Sequence, residues 1–220
     1  LIALREIDAE RTHVRVTNQV FPHGIVIPMS SEMTITQWHV PVDDTNCYWY
    51  AIFTSFTKPV DKQTMRNQRL ELYELPHYKS RRNKHNDYGF DPHEQATTTY
   101  TGMGHDINVH DQWAIESMGP IQDRTREHLG QSDKAITQYR RLLRQEIDKA
   151  AAGGGTPLLS LDAANARSIQ APATMDGIGP TRGWETYWME VDVKRRRGAP
   201  WSVQVPAEGA QKAPHLSAAE

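Results

Sequence analysis

The sequence predicts an α+β fold: antiparallel strands first, one long amphipathic helix late, and a largely irregular C-terminal tail. Three observations carry this expectation. Thr12–Thr17 and Met33–Val40 alternate polar and apolar side chains, as a half-buried strand does. Cys47–Phe56 is a run of aromatic and β-branched residues without a breaker. Ala135, Ile136, Tyr139, Leu142, Leu143 and Ile147 recur at the offsets of one helical face.

Taken in order, Thr12–Thr17 is a strand, and Gly24–Pro28 is a short β-branched run set off by Pro22 and Pro28. Met33–Val40 and Cys47–Phe56 form an antiparallel hairpin across the turn residues Pro41–Asn46. Asp61–Glu74 holds a helix, and His77–Gln95, poor in apolar residues, is an exposed excursion. An earlier helix carries Trp113, Ile115 and Met118 and stops at Gly119-Pro120. Ser132 caps the long helix, Asp133 complements its dipole, and Gly153–Gly155 ends it. Residues 1–155 therefore make one unit. Residues 156–207 read as a loop-rich extension with a strand at 184–193, and residues 208–220 as a disordered tail.

Composition excludes several function classes. The chain has 220 residues, a net charge of −2 and only short basic runs, Lys79–Lys84 and Lys194–Arg197, which read as solvated faces. Nucleic-acid binding needs a clear clustered excess of Lys and Arg, so none is expected. No apolar run approaches a membrane span. Cys47 is the one cysteine, so the chain holds no internal disulfide and no cysteine-based cluster, which fits a reducing cytoplasm. The chain starts at Leu1 within structured sequence, which reads as truncation.

The densest group of metal-ligand residue types is His105, Asp106, His110 and Asp111, within seven positions. Imidazole and carboxylate suit Fe(II), Zn or Mn. The spacing by itself matches no known site, and a polar loop entering a helix explains it equally. His13, His23 and His39 read as structural histidines, and Arg15, Arg66 and Arg69 as surface residues able to clamp a carboxylate.

The string Val109–Ile136, with Glu116-Ser-Met-Gly-Pro-Ile121, Asp123-Arg124, Glu127-His-Leu-Gly130 and Ser132-Asp133, resembles the C-terminal signature of Rieske non-haem iron aromatic-ring oxygenases. The nearest branch is that of phthalate 4,5-dioxygenase and 5-carboxyvanillate O-demethylase. Trp38–Asp44 and the Val20-Phe-Pro-His23 approach resemble it too, and the likeness covers residues 10–150. It implies an incomplete helix-grip fold, a curved antiparallel sheet around a long helix. It also implies a mononuclear Fe(II) held by two His and one carboxylate, with Asp111 as the carboxylate and both His upstream of Leu1. His105, Asp106 and His110 are not family ligands.

The Rieske [2Fe–2S] cluster needs two Cys and two His, so it belongs to a missing N-terminal part. By the same resemblance, a reductase passes electrons from NAD(P)H, the complete protein is a homotrimer, and O₂ hydroxylates or O-demethylates an aromatic, carboxylated substrate. Trp38, Tyr48 and Trp49 are the aromatics expected to line its pocket. Two other readings stand beside this one: a non-catalytic helix-grip module for an apolar ligand, and a small hydrolase using His105, His110 and Asp111.

Overall fold

The computed structural model describes residues 1–155 and 172–202. Along them run β1 (Ile2–Glu6), β2 (Arg11–Val16), β3 (Asn18–Val20), β4 (Gly24–Pro28), β5 (Met33–Pro41) and β6 (Cys47–Ser55). Then follow α1 (Lys62–Leu72), the short pair β7 (Tyr73–Glu74) and β8 (Lys79–Ser80), a 3₁₀ segment at Lys84–Gly89, α2 (Pro92–Thr97) and α3 (Ile107–Glu116). Two 3₁₀ turns lead into α4 (Lys134–Ala151), and β9 (Met175–Pro180) and α5 (Trp184–Arg197) complete the order. The α+β class stands, and every strand pair is antiparallel.

Two main sheets form, not one. The first has the order β1-β2-β9 and the second β3-β4-β5-β6. The expected hairpin is present, with Met33 opposite Ser55 and Pro41 opposite Cys47. Asp43 fixes its turn by accepting from the backbone N–H of Thr45 and Asn46, each at 2.8 Å. Asp61 caps α1 by accepting from Gln63 and Thr64 N–H.

The largest departure lies at 184–193. This stretch is not a strand but most of α5. The strand precedes it, at Met175–Pro180, and pairs along its whole length with β2, Arg11 opposite Pro180. Residues 175–197 are thus built into the first sheet and its covering helix and are no loop-rich extension. Trp184, Tyr187, Trp188 and Val191 sit at helical offsets and pack on the buried Val14, Val16 and Met175. The helix that covers a sheet is therefore α5. The longer α4 leaves Ile136 and Ile147 exposed, and it reaches the strands through Tyr139, whose hydroxyl donates to the Pro22 carbonyl and whose ring meets Phe21 edge-on.

Smaller departures have local causes. Asp133, at the end of the turn Gln131–Asp133, occupies the N-cap position of α4 in place of Ser132, and its carboxylate turns back to accept from Gly130 N–H at 2.8 Å. The helix of Trp113 ends at Glu116, so Met118 falls outside it. The stretch 77–95 is not wholly exposed, because Tyr88 is 4 % exposed. Neither basic run is merely solvated. The Arg82 guanidinium donates to Met103 O at 2.6 Å, and Arg195 and Arg196 both pair with the buried Asp192. The expected tail at 208–220 lies outside the described residues.

Candidate active site

The helix that carries Asp111 is held from below by a small second core of Tyr88, Met103 and Val109, with Leu72 of α1 against it. Asp106 caps α3 by accepting from Asn108 N–H at 2.9 Å, and its other oxygen takes the Arg69 guanidinium. Arg69 is thereby engaged in structure, as is Arg15, which pairs with Asp176. His110 lies between Thr101 Oγ1 and Gly104 O, each 2.9 Å from its Nε2, so it pins the preceding loop to the helix. His105 is exposed. The four residues clustered in sequence therefore separate in space. Asp106 and His110 hold α3 in place, and Asp111 alone projects from it with no hydrogen bond or ion pair among the described residues.

The loop before α3 is shaped for this purpose. Glu94 accepts from Thr99 Oγ1 at 2.6 Å and Gly104 N–H at 2.7 Å, and these bonds hold its carboxyl below the usual carboxylate range. Gly102 sits at φ +68°, and a Cβ there would lie 2.6 Å from the Asp91 carbonyl oxygen. Only glycine fits so close a backbone approach. Tyr88 donates to Glu116 Oε2 at 2.7 Å, so the far end of α3 is also fixed.

Partial desolvation lowers the pKa of His39 on β5, the Asp111 carboxylate raises it, and neighbouring His23 lowers it further. The net shift is downward, which favours neutral imidazole. His39 stands opposite Trp49 on β6, and its backbone N–H donates to His23 O at 3.1 Å. Cross-strand partners point to one face, so His23, His39 and Trp49 form a row across three neighbouring segments.

The next rows on that face are Ile25, Gln37 and Ala51, then Ile27, Ile35 and Phe53. The face thus grades from apolar to polar towards His39. By the same register Trp38 lies opposite Tyr50 and Tyr48 opposite Val40, which puts both aromatics on the other face. Of the three expected pocket residues, Trp49 alone shares the face of His39. Trp38 instead lies over Gly24, where a Cβ would come 3.3 Å from its indole nitrogen, and Tyr48 is 51 % exposed beside Tyr50.

The sequence reading placed His23 and His39 among structural histidines. The signal that joins them to each other is strand register, which the short β4–β5 connection sets. His13, by contrast, is structural, with Nε2 2.7 Å from Asp176 Oδ1. Among the described residues no group of three or more His, Cys, Asp or Glu side chains is arranged to hold a metal ion. Asp111 offers an exposed, unpartnered carboxylate on an anchored helix, which suits a single anionic ligand in a set completed from elsewhere. No described helix is long and apolar enough to cross a membrane.

The family model described as LigXa C-terminal domain like matches residues 2–194. The oxygenase subunit of phthalate 4,5-dioxygenase from Pseudomonas putida is 29 % identical over 155 residues, which are 66 % of this chain and 34 % of that protein. The chain thus spans about a third of the length of this curated relative.

Proposed function

Because the chain belongs to the LigXa C-terminal domain-like family, we propose that it forms the C-terminal part of the catalytic domain of an aromatic-ring oxygenase, with Asp111 the carboxylate ligand of a mononuclear Fe(II). The observation that carries the reading is the exposed, unpartnered Asp111 carboxylate on a helix that Asp106, His110 and Glu116 anchor. A solvated loop Asp has no need of such a mount. A ligand does, because metal geometry tolerates little movement.

In this reading the two histidine ligands and the Rieske [2Fe–2S] cluster come from sequence outside these 220 residues. When bound, the iron supplies O₂ activation beside an aromatic ring. The chain's own residues fix the helix that carries the carboxylate and line one wall of the pocket. Electrons come from NAD(P)H through a reductase, the complete protein is a homotrimer in the cytoplasm, and the substrate is an aromatic carboxylate. Hydroxylation and O-demethylation share the same iron chemistry, and the position of the ring selects between them.

Replacing Asp111 with Asn in the full-length gene product tests this. Iron content of the mononuclear site and product formation should both fall at least tenfold, while the Rieske spectrum is unchanged. If turnover and iron content persist, Asp111 is not a ligand of the iron.

A further inference from the structure

Two buried polar atoms of the second sheet have no hydrogen-bond partner: His23 Nδ1 and Trp49 Nε1. They flank His39 in one cross-strand row. An indole N–H is a donor only, and leaving it buried and unpaired is unfavourable. Two such atoms in one row mark a place prepared for something else. We infer that His23, His39 and Trp49 form a polar subsite that takes a ring-bound oxygen of an aromatic ligand. The inference rests on the proposed function for the identity of the ligand, though not for the existence of the subsite.

The chemistry of the row narrows the ligand. Trp49 supplies a fixed donor, and a histidine can donate from one ring nitrogen while accepting at the other. The group they meet must therefore accept, and carboxylate and phenolic oxygens both do. Further along the same face, the half-buried Phe53 offers apolar surface to the ring. An amphipathic aromatic would lie with its hydrocarbon on that surface and its oxygen at the row. A site built to bond an oxygen rejects the analogue without one, because the buried donors are then left unpaired.

The test uses Trp49→Phe in the full-length gene product, which removes the N–H and keeps an aromatic side chain. Binding of benzoate, phenol and toluene is measured without reductase or O₂, so it is independent of turnover. The variant should bind the preferred oxygen-bearing ring about tenfold more weakly and toluene with unchanged affinity. A larger loss for benzoate identifies a carboxylate subsite, and a larger loss for phenol a hydroxyl subsite.

Free of ligand, the variant should melt no lower than the parent, since an unsatisfied donor has been removed. A structural role for the N–H would instead lower the melting temperature. Equal losses for all three rings, or none, overturn the subsite. The Asp111→Asn experiment reads iron and turnover, so the two ideas fail separately. Discrimination with iron retained would keep the subsite and sink Asp111 as a ligand, and iron loss without discrimination would do the reverse.

Discussion

The core under α5 and the core under α3 solve the same problem in opposite ways. The first is regular: Val14 and Val16 alternate off β2, Met175 joins them from β9, and a helix with aromatics at positions 184, 187 and 188 closes over the top. The second has little regular structure. Tyr88 and Met103 reach Val109 from loops, with Asp87 and Tyr88 at φ 50° and 57°. Left-handed backbone at non-glycine residues costs roughly 1–3 kcal/mol each and persists only where the surroundings enforce it. The regular core gives the chain its stability. The irregular one spends some of it to aim a helix.

If that contrast holds, substitutions in the two cores should fail differently. The largest effect belongs to the polar latch of the regular core. Asp192 is 3 % exposed and receives Arg195 and Arg196, and Arg195 also donates to Thr174 O at 2.8 Å and stacks over Phe56 at 4.1 Å. Asp192→Ala leaves Arg195 buried without its partner and should lower unfolding free energy by about 3–5 kcal/mol in chemical denaturation. A loss below about 1 kcal/mol would show the latch to be superficial.

Gly102→Ala comes next, at about 2–3 kcal/mol, from a forced positive φ and the clash with Asp91 O. Its signature should be local: faster amide exchange in α3 with α5 unchanged. Uniform exchange would mean that the two cores unfold together.

The smallest effect is set by pH. Burial, the hydrogen bond to Glu116 and that residue's charge push the Tyr88 phenol from 10.0 up to about 12. A raised pKa in the folded chain means that the unfolded chain ionises first. This contribution to stability is therefore complete below pH 10 and is lost as pH rises from 10 through 12. Tyr88→Phe should flatten that part of the stability profile, and an unaltered profile would contradict the assignment.

Much of the fold was legible before the structure, and the exceptions are instructive. β4, β5 and β6 could be read because alternation and turn residues agree there. Trp184, Tyr187, Trp188 and Val191 carried a helical spacing all along, but their strong β propensity obscured it. Burial against β2 decided in favour of the spacing. β9, with Gly177, Gly179 and Pro180, has almost no strand character of its own and is extended because β2 offers it an edge.

At the site, Asp111 was recognisable only by resemblance. Trp38 and Tyr48 were grouped with Trp49 because composition does not reveal which face a residue takes. Parity within β5 separates Trp38 from His39, but joining His39 to Trp49 and His23 needs the register of two hairpin connections.

The place of β2 in its sheet has a consequence for how the protein is made. Its partners are β1, a few residues away, and β9, where Arg11 meets Pro180. On the ribosome, everything through residue 155 can emerge before the strand that completes the first sheet exists. Until then one edge of β2 stays open, and Val14 and Val16 lack the helix that covers them. An open edge beside exposed valines is a template for wrong pairing. The chain is thus expected to depend on chaperones late in synthesis, and contacts so distant in sequence should make its folding slow.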